Sequence, residues 1–169
     1  MDEVEQLKED IRQFQCQNTF CKGNVPGSYV VDSKMLFVGS QPSPLSDMQE
    51  PFTGKDKDIF DNLLTFLNLS RKTVNITNII KCCCPKLQGT AIENYQRVWQ
   101  PILIRELDMI QPKVVVSFTD YFPEAALEKY GSKYYRRRHP ASLFYKYGSE
   151  EEKLDQYLNT FRDVDIEIE

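Results

Sequence analysis

The residues in this sequence best suited to chemistry are small, polar and scattered. "KMLFVGSQPSPLSD", residues 34–47, passes from Met35-Leu36-Phe37-Val38 straight into Gly39-Ser40-Gln41-Pro42-Ser43-Pro44. That is a rigid polar loop offering backbone N–H groups and one amide. A second amide, Asn78, lies near the end of the β-branched run "TVNITNII" at 73–80, which leads into "KCCCP". The chain's one histidine, His139, stands in "RRRHPAS", behind Arg136, Arg137 and Arg138 and ahead of Ser142. No paired Asp/Glu constellation is visible, no Gly-x-x-x-x-Gly-Lys phosphate cradle, and no serine in a nucleophile elbow. Such a set binds and orients a ligand and stabilises developing charge with fixed donors. It does not attack through a strong covalent nucleophile.

These residues need elements to position them. The four apolar residues before Gly39 have the length of a short buried strand, 34–38. The run 73–80 predicts a second strand, and "KVVVSF", 113–118, a third that is buried on both faces. Val4, Leu7, Ile11 and Phe14 recur at helical spacing over 3–15. A helix capped by Asp56 or Asp58 buries Ile59, Phe60, Leu63, Leu64 and Leu67. Residues 91–110 form a helix with Val98, Ile102, Leu103, Leu107 and Ile110 inward, kinked or restarted at Pro101. Further helices are expected over 121–130 and 150–161, with a short strand and a loop between them. Strands alternating with helices give a parallel sheet covered on both faces. Right-handed crossovers then gather the loops after the strands on one edge, where ligands sit in α/β proteins.

The chain has 169 residues, enough for one domain, 1–169, with one core. It is 41% apolar, and its mean hydropathy of -0.49 is that of a water-soluble protein. No run spans a membrane, and "MDEVEQLKED" lacks the basic and apolar regions of a signal peptide. An intracellular protein is expected, in cytoplasm or nucleoid, of cellular or viral origin. In a reducing compartment Cys16, Cys21, Cys82, Cys83 and Cys84 are free thiols or metal ligands rather than bridges. Net charge is -4, but residues 71–146 carry 13 Lys/Arg against 6 Asp/Glu. The basic centre is either an ordinary mixed surface or a face for phosphates.

The motifs occur in a specific order: "MLFVGSQPS", "PFTG", "NITNIIKC", "WQPILIRELDMIQPKVVVS" and "RHPAS". In that order they resemble the uracil-DNA glycosylase superfamily, the family-four thermophile-type enzymes in particular, over about residues 25–146. The resemblance implies a three-layer α/β/α sandwich with a mostly parallel central sheet. It also implies a monofunctional, monomeric DNA glycosylase that releases uracil or a related modified pyrimidine flipped from DNA. A relative that only binds DNA or a protein partner through the same cleft is the other reading. Gly39-Ser40-Gln41-Pro42-Ser43 matches the family's water-activating loop, and Phe52 the aromatic that stacks on the flipped base. Asn78 matches the amide that reads its polar edge, and His139 the histidine facing its carbonyl. Ser142 falls in the loop that grips the strand. Arg136, Arg137 and Arg138 stand where phosphates pass, and Leu143, Phe144 and Tyr145 where a wedge would enter the vacated stack. Taken singly, Phe52 reads as core, Asn78 as a turn cap, His139 as a turn residue and the arginines as a solvated face. Their joint order favours a site.

The pattern departs from the family at two places. Ser40 replaces the family's Glu, and Gln41 stands where relatives carry Ala, Asp or Asn. A neutral amide orients water without activating it, so slow or specialised hydrolysis is expected. The chemistry requires no cofactor. The family's [4Fe–4S] cluster needs four thiolates. Cys82 matches the third, Trp99 stands where the fourth belongs, and Cys16 and Cys21 have altered spacing. Cys83 or Cys84 would have to substitute, with Cys16, Cys21, Cys82 and Cys84 one such set. The reading preferred here is that "CCC" packs as small apolar residues at a strand end.

Overall fold

The computed structural model describes residues 1–16 and 18–167. Four strands form one sheet: β1 (Met35–Gly39), β2 (Asn75–Asn78), β3 (Val114–Ser117) and β4 (Lys133–Arg136). Their order is β2-β1-β3-β4, and every pair is parallel. The inner strands are buried throughout, as their unbroken apolar runs predict, whereas β4 is a charged edge strand.

Side chains alternate between the two faces of the sheet. Leu36, Val38 and Val115 pack with Leu7 and Ile11 of α1 (Glu3–Gln13) and with Trp99, Leu103 and Leu107 of α3 (Thr90–Ile110). Met35, Phe37, Val114 and Val116 pack with Phe60, Leu63 and Leu64 of α2 (Lys57–Phe66) and with Tyr157 of α4 (Glu150–Asn159). The three layers are those expected. Two 3-10 helices, Glu124–Tyr130 and Pro140–Tyr145, replace the α-helix expected over 121–130 and part of the loop before α4.

Two local expectations change. α3 runs through Pro101 without interruption, because the one lost N–H bond is outweighed by a buried face that continues on both sides. Val98 is 46% exposed, and its neighbour Trp99 faces the core at 1%. Trp99, Ile102, Leu103, Glu106, Leu107 and Ile110 form one helical stripe, and Val98 lies outside it.

The register fixes where chemistry sits. Gly39 pairs with Asn78, Val38 with Ser117 and Ser117 with Arg136, so all four C-terminal strand ends share one edge. The chain leaves β1 toward β2 on one side and β3 toward β4 on the other. The topological switch, where α/β proteins bind their ligands, therefore falls between the ends of β1 and β3. No helix among the described residues is long and apolar enough to cross a membrane.

Candidate active site

Gly39 is the tightest point of this edge. A Cβ built there would lie 2.3 Å from Oδ1 of Asn78 and 2.7 Å from the Phe52 ring. Only glycine lets the amide and the aromatic close over the end of β1. Asn78 is 3% exposed, and its amide takes no hydrogen bond among the described residues. The N–H groups of Ile79 and Ile80 donate to the carbonyls of Gly39 and Ser40, carrying the β1–β2 ladder into the loop.

Phe52 is held in the left-handed region at φ 57. A bulky residue there carries about 1–3 kcal/mol of strain, which its surroundings must offset. Arg71 does so. Its guanidinium donates to the carbonyls of Pro51 and Phe52 at 2.8 and 2.5 Å, pairs with Asp61 at 2.7 Å, and lies over the Phe60 ring. The Phe52 ring stacks on Phe60 with centroids 4.4 Å apart and lies 5.5 Å from the near-parallel His139 ring. Phe118, just past β3, meets both Phe52 and His139 edge-on. Sequence reasoning missed Arg71 and Phe118. Neither belongs to a motif, and an arginine 19 residues from Phe52 gives no local signal.

His139 precedes the 3-10 helix Pro140–Tyr145. Its Nδ1 accepts the backbone N–H of Ala141 at 3.1 Å, so the neutral ring carries its proton on Nε2. Burial, then the positive charges of Arg136 and Lys86, push its pKa down to about 4. The ring at neutral pH is therefore an uncharged donor. Oδ2 of Asp56 lies 3.7 Å from Nε2. Ser142 donates its N–H to the His139 carbonyl, and its buried Oγ has no hydrogen-bond partner among the described residues.

Gln41 is held by the 84–87 backbone. Its Nε2 donates to the Cys84 carbonyl at 3.2 Å and its Oε1 accepts from Leu87 N–H at 3.1 Å. One amide hydrogen and one lone pair remain for a water. Ser40 is half-buried, Pro42 is buried, and the Ser43 carbonyl accepts from the Cys83 thiol. The "CCC" segment thus props the 39–43 loop from behind.

Among the arginines, Arg136 pairs with Asp120, and Arg137 forks onto Asp163 and stacks on Tyr135. Arg138 is exposed and makes no ion pair among the described residues. The expectation that Leu143 enters DNA is corrected. It is 3% exposed because the 3-10 helix turns it into the core with Phe118 and Tyr157. Phe144, Tyr145 and Tyr147 are the aromatics of this segment left at the surface, at 47%, 83% and 103%. Tyr147 carried no sequence signal beyond lying in the same loop.

The Sγ atoms of Cys16, Cys21, Cys82 and Cys84 all lie within 4.8 Å of one another. Residues 22–25 run antiparallel to 81–83 through Lys22 N–H to Cys83, Cys83 N–H to Gly23 and Val25 N–H to Lys81. The Asn24 amide ties this segment to the carbonyls of Ile11 and Phe14 at the end of α1. That strapping carries Cys16 and Cys21 to the strand end. Cys82 and Cys84 also pack in the hydrophobic core with Trp99, as expected of "CCC", and Cys83 lies outside the group of four. Burial pushes Cys82 up to about 12, so a metal would have to displace protons from the bare thiols. Four convergent soft donors fit a tetrathiolate metal centre.

Fold and edge together define an α/β protein that gathers an amide, an imidazole and an aromatic platform at one strand edge. A family model for the uracil DNA glycosylase superfamily matches residues 26–162, and the chain belongs to that superfamily. It is 28% identical to a Type-4 uracil-DNA glycosylase of Sulfurisphaera tokodaii over 140 residues, 79% of this chain and 62% of the relative. It is 28% identical to that of Saccharolobus solfataricus over 123 residues, 69% and 56% of the two chains. It is 30% identical to that of Archaeoglobus fulgidus over 119 residues, 67% and 59%. The chain spans about three fifths of the length of these curated relatives.

Proposed function

We propose that this protein hydrolyses the N-glycosidic bond of uracil or a related modified pyrimidine flipped out of DNA. The observation that carries the reading is the neutral Nε2–H of His139, held beside the Phe52 ring at the strand edge where Asn78 ends β2. A base extruded from the stack lies against the aromatic platform, and the Asn78 amide reads its polar edge. As the C1′–N1 bond breaks, positive charge develops on the sugar and negative charge on the base. The His139 donor stabilises the developing oxyanion without a proton having to move first. Water adds to C1′ and releases a proton, and the base leaves as an anion that is later protonated. The remaining hydrogen-bonding capacity of Gln41 orients that water, which makes hydrolysis slower than a carboxylate would.

Cys16, Cys21, Cys82 and Cys84 are read as the ligands of a metal centre, either the [4Fe–4S] cluster of the resemblance or, as their close spacing suits, a single tetrahedral ion. It would cross-link α1, the 22–25 segment and the strand end without taking part in a reaction that has no redox change. The protein is read as an intracellular monomer acting on DNA.

Gln41 supports a second reading, a relative that binds DNA in this cleft with little turnover, because its amide is already engaged by the 84–87 backbone. Oligonucleotides containing one uracil discriminate the two. Alkali-labile sites that disappear in His139→Ala support the enzyme. Gel retardation without strand scission supports the binder.

A further inference from the structure

Asp56 is the one buried acid of the site that the roles above leave unused. It occupies the N-cap position of α2, yet its side chain makes no capping bond. An aspartate there ordinarily accepts from the first turn of the helix. Here the carboxyl is turned toward His139, with Oδ2 3.7 Å from Nε2, too far for a hydrogen bond. The residue is 8% exposed, and Oδ1 is buried with no hydrogen-bond partner among the described residues. A buried carboxyl oxygen left without a hydrogen bond is costly, and native structures rarely carry one without a reason.

Building on the glycosylase reading, we propose that Asp56 accepts a hydrogen bond from the flipped base beside the carbonyl taken by His139, so that the preferred substrate is a pyrimidine carrying a donor that uracil lacks. Ionised, the carboxyl only accepts. Protonated, one of its oxygens still accepts. A carbonyl facing the ionised carboxyl would meet only lone pairs. The one ring donor of a uracil nucleotide is N3–H, which belongs to the edge read by Asn78. The donor that Asp56 takes must therefore come from a substituent, such as a hydroxyl or amine carried on the ring. The surroundings support an acceptor that does not need full charge. Burial raises the carboxyl above its ordinary value, while its own N–H, the Arg71 guanidinium and the Gly54 N–H oppose that rise. Tyr157, whose hydroxyl is engaged by the Arg138 carbonyl, also feels the Asp56 charge.

The test compares oligonucleotides carrying one uracil, one 5-hydroxymethyluracil or one 5-methoxymethyluracil, the last having the bulk without the donor. Single-turnover kcat/KM is expected to favour the hydroxymethyl over the methoxymethyl base by at least about tenfold. Asp56→Ala and Asp56→Leu should collapse that ratio toward one. Asp56→Asn, which keeps an accepting oxygen, should retain part of it. A wild-type ratio near one alongside uracil release, or a ratio that survives in Asp56→Ala, overturns the role of Asp56 and leaves the glycosylase reading intact. No release of any base overturns both.

Discussion

Ala141 donates its backbone N–H to Nδ1 of His139 across 3.1 Å, and this bond decides which ring nitrogen holds the proton toward Phe52 and Asp56. A histidine two residues before its own donor cannot reverse tautomer without breaking the start of the 3-10 helix.

His139 is the only histidine, so its imidazole signals are unambiguous by NMR. The Nε2–H tautomer is expected at neutral pH, titrating at about 4 against an ordinary 6.5. Because the folded value is depressed, the unfolded chain takes the proton first. This group therefore costs no stability above 6.5 and destabilises the fold progressively as pH falls from 6.5 toward 4. Titration at 6 or above would show that burial does not hold the ring neutral. In base-release assays His139→Ala should lose about 10²–10³-fold in rate.

Gly39→Ala places a methyl 2.3 Å from Asn78 Oδ1 and 2.7 Å from Phe52. Either the amide or the platform must shift, at a cost of about 1–3 kcal/mol. Urea denaturation should register that loss, and uracil release should fall by about 10²-fold or more. A variant with wild-type stability and activity would show that the two side chains are not fixed by this close approach.

Lys81 and Glu106 are both fully buried, paired at 2.6 Å. Thr77 and Tyr29 complete the network on Glu106 Oε1, and Lys81 also donates to the Asn78 carbonyl. Lys81→Met leaves Glu106 uncompensated and should cost about 3–5 kcal/mol. Lys81→Met with Glu106→Leu should recover much of that loss in the same denaturation experiment. A double variant no better than the single one would mean that the pair does not act as a unit.

The tetrathiolate reading is checked on anaerobically purified protein. Iron and acid-labile sulfide are expected in the wild type and in Cys83→Ser, and should be lost in Cys16→Ser and Cys84→Ser. Since Gln41 and Ser43 are tied to Cys84 and Cys83, loss of the metal should also speed amide hydrogen exchange across 39–43. Zinc in place of iron would keep the site and change its occupant. Metal retained by Cys84→Ser would remove Cys84 from the ligand set.

Arg137 and Arg138 should separate cleanly. Arg137 forks onto Asp163 with its side chain 18% exposed, so Arg137→Ala should cost about 0.5–1 kcal/mol of stability. Arg138→Ala should leave stability intact and reduce the salt slope of DNA binding by about one. An unchanged slope would place phosphates elsewhere.

Much of the frame was legible because local signals and burial agree. Unbroken apolar runs mark β1 and β3, since parallel strands are covered on both faces, and the residues just past each run fall on the ligand edge by topology alone. Residues such as Gly39, Asn78 and His139 could thus be nominated from order and spacing. What periodicity misjudged was fine phase. Val98 and Trp99 differ by 100° around α3, and only the packed partner decides which one faces in.

The sequence by itself determined the layers, the strand edge and the kinds of group presented there, because backbone propensity and apolar patterning are properties of neighbours along the chain. Tertiary structure alone decided the rest. Arg71 fixes a strained Phe52 from 19 residues away, the 22–25 segment carries Cys16 and Cys21 to Cys82 and Cys84, Leu143 turns inward, and Asp56 points at His139 instead of capping its helix. Each of these is a contact between residues far apart in the chain or a choice of side-chain direction. Neither is set until the core has closed and buried groups have found, or failed to find, their partners.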